Sequence, residues 1–180
     1  MNYVFLADGF EEVEALATVD VLRRCGIEVQ TVSISETLEV AGAHGINVTA
    51  DCKMEDVDLS LADFLILPGG LPGATNLRDC EALQEVLKQH AAKGGNLAAI
   101  CAAPMVLGGL GLLEGKEATC YPGFEKYMIG AKPGSLPVVQ DGNVITGKGP
   151  AFAFAFGLKI AEAIKGKEVA RDVAAGMLLQ

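Results

Sequence analysis

Short apolar runs that alternate with helical segments are the feature that most constrains how this chain can fold. We predict strands at 3–7, 27–33, 63–67 and 96–100. Segments with helical spacing or helix-end signals lie between or after them, at 11–25, 79–93 and about 104–113. Because strands that alternate with helices form a parallel sheet with helices on both faces, the sequence predicts an α/β fold with a doubly wound parallel sheet. The length suits one domain, 1–180.

Two hairpins are predicted beside these alternating elements. Segments 38–40 and 46–50 flank a glycine-containing turn, and we expect them to form a small β-hairpin outside the main sheet. Residues 138–146 contain Asp141-Gly142, a strong signal for a tight hairpin turn. The remaining predicted elements are a strand at 116–120 and helices at 124–129, 151–164 and 168–178.

Charge and cysteine content exclude several classes of function. The net charge is −9 and the basic residues form no runs, which argues against nucleic acid and anionic membranes as partners. No stretch reaches the ~20 apolar residues that span a bilayer, and the first residues lack an export-signal pattern. We therefore expect five reduced cysteines in a cytoplasmic protein. Two histidines give no zinc-type spacing, so no metal is predicted.

The segment 94–104 places a cysteine between a strand and a helix. The predicted strand ends at Cys101, and Pro104 suits the first turn of a helix, where its missing N–H costs nothing. Ala99 and Ala103 supply the small side chains that a sharp strand–nucleophile–helix turn requires. A helix N-terminus favours thiolate over thiol. Cys101 is therefore a candidate nucleophile, and the alternative is a buried structural cysteine.

Three loops are expected to meet at one edge of the sheet, because sites in such sheets form at the carboxyl ends of strands. They follow Ala7, Leu67 and Ile100. In two of these loops the backbone N–H groups of Gly70 and Ala102 are candidate donors of an oxyanion hole, which would face developing negative charge. The alternative for Gly70 is a simple turn.

The order and spacing of several motifs resemble the ThiJ/PfpI family over nearly the whole chain. The most similar branch is that of the parkinsonism-associated protein deglycase and its bacterial relatives. The motifs that carry the resemblance are Glu11-Glu12-Val13-Glu14, 19–24, Leu67-Pro68-Gly69-Gly70 with 73–77, 98–104 and Gly149-Pro150. This resemblance implies a flavodoxin-like sandwich similar to class I glutamine amidotransferases, a homodimer and activity without a cofactor.

The resemblance also implies an oxidation-sensitive thiol at Cys101 and a protonated carboxyl at Glu14 beside it. Buried there, Glu14 would have a raised pKa and would donate a hydrogen bond to the thiolate, which lowers the pKa of the cysteine. The alternative for Glu14 is a favourable contact with the helix dipole. Glu12 is interpreted as an exposed carboxylate, and the same helix has one apolar face, formed by Val13, Leu16, Ala17 and Val21.

Four further side chains are candidates for lining the site. Tyr121 precedes Pro122 where the family often has a histidine, so the nearby base is absent. His44 and Lys148 stand in for the family's anion-binding arginines, whereas Arg24 is retained. The alternatives are a packing role for the tyrosine and, for the histidine, either a solvated loop position or a contact across the dimer.

Three hypotheses for function follow. The first is a cysteine-dependent enzyme, linked to oxidative stress, that acts on methylglyoxal-type α-oxoaldehydes or their thiol and amine adducts, as a glyoxalase or deglycase does. The second is a redox-sensing or chaperone protein in which Cys101 oxidises to sulfinate with little turnover, and Cys120 is then the candidate resolving thiol. The third, a cysteine peptidase or amidotransferase, is disfavoured because its chemistry needs a base beside the thiol.

Overall fold

The apolar runs of the sequence form the centre of the molecule. The computed structural model describes residues 1–179. Their strands, in chain order, are β1 (Asn2–Leu6), β2 (Val29–Ser33), β3 (Glu39–Ala41), β4 (Asn47–Thr49), β5 (Cys52–Lys53), β6 (Phe64–Leu67), β7 (Asn96–Ile100), β8 (Glu117–Ala118), β9 (Lys132–Pro133), β10 (Val138–Asp141) and β11 (Val144–Gly147). Their α-helices are α1 (Glu12–Arg24), α2 (Gly73–Asp79), α3 (Glu81–Ala92), α4 (Pro104–Gly109), α5 (Ala153–Lys165) and α6 (Lys167–Gly176).

The main sheet has the strand order β10-β11-β7-β6-β1-β2-β5. Its neighbouring strands are parallel apart from the β10–β11 hairpin. The two turn residues of this hairpin are Gly142 and Asn143, one position after the predicted Asp141-Gly142. The central strands β1 and β6 are buried along their whole length, which near-continuous apolar sequence allows. Helix α1 packs against α5, and α2 packs against α3 and α4. The predicted α/β fold, flavodoxin-like with a parallel sheet between helices, is confirmed.

The smaller elements differ in part from the prediction. The β3–β4 hairpin lies outside the main sheet, as expected. The strand predicted at 116–120 is only β8, which pairs with β9 in a separate two-stranded sheet. The helix predicted at 124–129 is a single 3₁₀ turn, Glu125–Tyr127. The helix predicted at about 104–113 ends earlier, at Gly109, because two further glycines follow within six residues. Helix α2 was not predicted. It is separated from α3 by Cys80, whose backbone is extended.

Helix α1 buries only part of the apolar face predicted for it, since Ala17 and Val21 are buried and its two apolar residues nearer the N-terminus are not. Val13 and Leu16 are 50% and 41% exposed, whereas Glu12 and Glu14 are buried. The reason is that the first turn of α1 points its carboxylates at backbone N–H groups of the neighbouring loops, which are hydrogen-bond donors that an apolar face would leave unsatisfied. The prediction of an exposed Glu12 is therefore wrong, and of the predicted apolar face only Ala17 and Val21 are buried.

Among residues 1–179, no helix combines the length and the apolar character needed to cross a bilayer.

Candidate active site

Cys101 occupies a strained turn between β7 and α4. Its φ is 63°, a left-handed conformation that costs a residue with a side chain about 1–3 kcal/mol. Two backbone hydrogen bonds hold it there, since its N–H donates to Gly147 at 2.9 Å and its carbonyl accepts from Tyr121 at 2.8 Å. Ala102 and Ala103 are buried directly after it, so only small side chains fit. The predicted elbow is present, and such strain is typical of functional positions.

The loop after β6 approaches this turn so closely that it requires glycine. A Cβ on Gly69 would lie 2.7 Å from Cβ of Cys101 and 2.8 Å from Oε2 of Glu14. Gly70 has a φ of +88°, which turns its own N–H toward the sulfur. The N–H groups of Gly70 and Ala102 both donate hydrogen bonds to Cys101. Two donors predicted from sequence thus face the same atom.

Glu14 lies beside the thiol and is completely buried. Its Oε2 accepts a hydrogen bond from Gly69 N–H at 2.8 Å, its side chain hydrogen-bonds Cys101, and its Oε1 has no hydrogen-bond partner. Burial raises the pKa of Glu14 to about 7, although the bonds from Gly69 and Cys101 oppose the shift. The predicted raised pKa and contact with Cys101 agree with this geometry.

The pKa of Cys101 shifts in the direction opposite to the prediction. The side chain is only 9% exposed, and burial together with the negative charge of Glu14 raises the pKa of Cys101 to about 12. The hydrogen bonds from Gly70 and Ala102 lower it, but they are outweighed. The helix that was expected to favour the thiolate, α4, has only six residues.

Glu14 and Cys101 therefore share one proton near neutral pH. The first ionisation belongs to the pair, and the proton that remains can sit on the carboxyl or on the sulfur. With the proton on Glu14, the charge that opposes the thiolate disappears and three donors surround the sulfur. This arrangement holds a nucleophile and an acid in one buried pair.

His44 fixes the β3–β4 hairpin to the start of α1. Its N–H donates to Oε1 of Glu12 at 2.7 Å, and its ring Nδ1 lies 2.8 Å from Oε2 of Glu12 and 3.7 Å from Oε2 of Glu11. The hydrogen bond to Glu12 and the two negative charges raise the pKa of His44. The ligand atoms of Glu11, Glu12 and His44 lie within 4.8 Å of one another, and the hydrogen bonds among them account for the cluster.

The other predicted lining residues divide into two groups. Tyr121 and Lys148 border one cavity, and the backbone N–H of Tyr121 donates to the carbonyl of Cys101. Arg24 lies at the far end of α1, about 15 Å along the helix from Glu14, where it pairs with Asp20 at 2.8 Å. Within one protomer, the prediction that Arg24 lines the site is wrong, because the helix carries it away from Cys101.

Two residues, Gly147 and Phe152, were missed in the prediction from sequence. Gly147 anchors the elbow through its carbonyl, and Phe152 borders the same cavity as Tyr121. The signal was present in the sequence, because the predicted hairpin placed the end of β11 at the carboxyl edge where the other loops meet.

Comparison with known proteins places this geometry in a family. A sequence profile of the DJ-1/PfpI family matches residues 2–163. The chain belongs to the DJ-1/PfpI family. The resemblance predicted from sequence is confirmed.

Curated relatives of this DJ-1/PfpI chain come from several organisms. The Parkinson disease protein 7 homolog of Danio rerio is 39% identical over 98% of this chain and 96% of its own length. The glutathione-independent glyoxalase DJR-1.2 of Caenorhabditis elegans is 39% identical over 88% of this chain and 84% of its own length. The chain spans only 40% and 45% of DJ-1 homologs B and A of Arabidopsis thaliana.

Solved structures of the family share the fold. Oxidized DJ-1 of Toxoplasma gondii superposes with a TM-score of 0.94 at 39% identity, covering 98% of this chain and 97% of that one. DJ-1beta of Drosophila melanogaster gives a TM-score of 0.93 at 36% identity and covers both chains completely.

Proposed function

We propose that this protein is a cofactor-free enzyme that converts methylglyoxal-type α-oxoaldehydes, or their thiol and amine adducts, to 2-hydroxy acids through Cys101. The observation that carries the proposal is the buried pair of Glu14 and Cys101, with the N–H groups of Gly70 and Ala102 directed at the sulfur. A relative named as a glutathione-independent glyoxalase supports the same class of reaction.

The first step forms a bond between the sulfur and the aldehyde carbon. The Cys101 thiolate attacks that carbon, and the aldehyde oxygen takes up the proton held by Glu14, giving a hemithioacetal. The developing negative charge on this oxygen is where the N–H groups of Gly70 and Ala102 would act as an oxyanion hole. The raised pKa of Glu14, about 7, keeps a transferable proton at the site near neutral pH.

The later steps move a hydrogen and add water. The Glu14 carboxylate removes the proton from the former aldehyde carbon and returns it to the neighbouring carbon, which converts the hemithioacetal to a thioester of the 2-hydroxy acid. Water then cleaves the carbon–sulfur bond and restores the thiol. One carbon is oxidised and its neighbour reduced, so the conversion balances with water as the only co-reactant and needs no external electron carrier.

Lactate formation from methylglyoxal tests this proposal. We expect the purified protein to produce lactate without added glutathione or metal, and Cys101→Ser to abolish the activity. Cys80→Ser is the matched control, because Cys80 is a half-buried free thiol on the α2–α3 junction. Equal rates in the parent protein and Cys101→Ser would overturn the mechanism.

A second proposal, redox sensing, draws on the same sulfur. Peroxide would oxidise the Cys101 thiolate in two successive steps, each adding one oxygen to sulfur and releasing water, to give a sulfinate. The two N–H donors and a protonated Glu14 would then hydrogen-bond the sulfinate oxygens. A mass increase of two oxygens at Cys101, with no lactate formed from methylglyoxal, would favour this function over the enzyme.

The peptidase or amidotransferase alternative has less support. His44 hydrogen-bonds Glu12, and His90 lies against the backbone carbonyls of Asp63 and Asn96. These contacts leave Cys101 with Glu14 as its partner rather than an imidazole base.

We also propose that the protein is a homodimer. Val13, Leu16 and Phe154 are 50%, 41% and 39% exposed on the layer formed by α1 and α5. Exposed apolar side chains on neighbouring helices are typical of interaction surfaces. Light scattering at micromolar concentration should give the mass of two chains, and a monomer mass would contradict the proposal.

A further inference from the structure

Two backbone hydrogen bonds hold the peptide groups on either side of the Cys101 side chain. The N–H of Cys101 donates to the carbonyl of Gly147 at 2.9 Å, and the carbonyl of Cys101 accepts from the N–H of Tyr121 at 2.8 Å. The φ of Cys101 is 63°, a strained conformation that persists only where the surrounding structure holds it. Whatever fixes Gly147 and Tyr121 therefore also fixes the elbow of the nucleophile.

A buried threonine joins these two restraints. Thr146 directly precedes Gly147 on β11, and its Oγ1 accepts a hydrogen bond from the backbone N–H of Thr119 at 2.9 Å. Thr119 lies two residues before Tyr121, so the contacts form a closed ring that leaves Cys101 through β11 and returns to it through Tyr121. Both threonines are buried. A buried N–H that loses its acceptor is costly, so the Thr146 hydroxyl ties the segment containing Tyr121 to β11.

The carbonyl that Tyr121 holds also determines the direction of a donor to the sulfur. The carbonyl of Cys101 and the N–H of Ala102 belong to one planar peptide group, so fixing the carbonyl fixes the N–H. That N–H hydrogen-bonds the sulfur of Cys101 and lowers the pKa of the thiol, as the N–H of Gly70 also does. The position of Tyr121 therefore affects how well the thiolate is stabilised.

We propose that Thr146 is a positioning residue for Cys101, because its hydroxyl holds the segment that keeps the Cys101–Ala102 peptide turned with its N–H toward the sulfur. Thr146 acts through the backbone, whereas Glu14 is the titratable side chain that hydrogen-bonds the sulfur directly. The inference rests on the proposed function only for its effect on turnover. Its effect on the reactivity of the thiol needs no substrate.

The pH profile of Cys101 alkylation by iodoacetamide tests this role without turnover. Thr146→Val keeps nearly the same shape but leaves the N–H of Thr119 without its acceptor. We expect the rise in the profile to move to higher pH and the rate at pH 7 to fall about threefold to tenfold, as expected for one weakened hydrogen bond to the sulfur. Thr146→Ser keeps the hydroxyl and should restore the parent profile. Thr146→Ala removes the same acceptor with a different change in packing and should shift the profile as Thr146→Val does.

Thr31→Val is the matched control, because it makes the same substitution at another buried strand threonine. Thr31 lies on β2, which two strands separate from β7. Its Oγ1 donates to the carboxylate of Asp51 and accepts from the N–H of Asp51, both at 2.9 Å. Urea unfolding should show a loss of stability in both valine variants, since each loses hydrogen bonds of a buried hydroxyl. Only Thr146→Val should change the alkylation profile.

Three results would overturn the role of Thr146. They are a Thr146→Val profile that matches the parent or moves to lower pH, an equal shift in Thr31→Val, and an equal shift in Thr146→Ser. If Thr146→Val shows no cooperative urea transition, the profile of Thr146→Ala decides by the same criteria.

Steady-state lactate formation from methylglyoxal separates this inference from the proposed function. Thr146→Val should lower kcat while KM stays within about twofold, because the change affects the sulfur rather than the binding of substrate. Thr31→Val should keep the kcat of the parent. Absence of lactate with the parent protein would reject the proposed function, yet the alkylation profile would still decide the role of Thr146. A kcat of Thr146→Val equal to that of an active parent would contradict the role in turnover.

Discussion

Glu12 and Glu14 lie two residues apart in the first turn of α1 and are both buried, yet their pKa values shift in opposite directions. Burial raises the pKa of each, but hydrogen bonds from the ring and backbone of His44 outweigh it at Glu12 and lower that pKa. Glu14 has one backbone donor and an unpartnered Oε1, so its pKa rises to about 7. The donors that face a buried carboxyl therefore decide its charge. One carboxylate anchors a hairpin, and the other keeps a mobile proton beside Cys101.

The largest expected difference between the two carboxyls is in turnover. Glu14→Gln keeps the size and an oxygen for Gly69 N–H but carries no transferable proton, so kcat/KM for α-oxoaldehydes should fall about 10²–10⁴-fold. Glu12→Gln is the matched control and should retain the activity of the parent, because its group holds the hairpin rather than the substrate. Steady-state lactate formation measures both, and equal losses in the two variants would refute the division of roles.

A second difference appears in the pH dependence of stability. Folding raises the pKa of Glu14 from 4.5 to about 7, so the folded protein binds more protons than the unfolded chain between these values. The stabilising effect is complete below pH 4.5 and is lost as the pH rises to about 7, a change of about 3 kcal/mol. Glu14→Gln lacks this titration and should gain stability relative to the parent over that range. Urea unfolding from pH 4 to pH 8 measures it, and parallel curves would contradict a buried, titrating Glu14.

The smallest effect is expected at His44. Folding raises its pKa above 6.5 and lowers that of Glu12 below 4.5. The histidine's contribution is complete below pH 6.5 and lost as the pH rises through its raised pKa, whereas that of Glu12 is complete above pH 4.5. His44→Gln should therefore lower Tm between pH 4.5 and 6.5, where both groups are charged, and lower it less at pH 9. The loss should be small at any pH, because the His44 side chain is 68% exposed. Thermal unfolding that shows the larger loss at pH 9 would contradict the ion pair.

The sequence predicted the positions of the strands that are buried on both faces of the sheet. Strand β7 lies where its apolar run predicted it, since a strand buried on both faces needs a continuous run of small or aliphatic residues. Helix α1 was placed correctly along the chain, but its predicted apolar face includes two exposed residues, Val13 and Leu16, as well as the buried Ala17 and Val21. Apolar spacing alone does not distinguish a core face from a surface that another chain covers.

The parts of the site that depend on residues close together in the chain could be predicted from the sequence. A cysteine at a strand–helix junction, with alanines around it, indicated the elbow, and Gly70 and Ala102 lie where that turn requires donors. The pKa of Cys101 was not predictable from these residues. This pKa depends on burial and on the charge of Glu14, a residue distant in sequence. Glu14 raises the pKa of Cys101 only when its own carboxyl is ionised, so the effect depends on which of the two groups holds the shared proton.

The pH profile of Cys101 alkylation by iodoacetamide tests the shared proton most directly. In the parent, the rate should rise through pH about 7 to a plateau, because the pair loses its first proton there and the remaining proton can move to Glu14. In Glu14→Gln the rise should move to higher pH, since burial still raises the pKa of the thiol and no carboxylate accepts its proton. Glu12→Gln should reproduce the parent. A parent profile without a step near pH 7, or one identical to that of Glu14→Gln, would contradict the account.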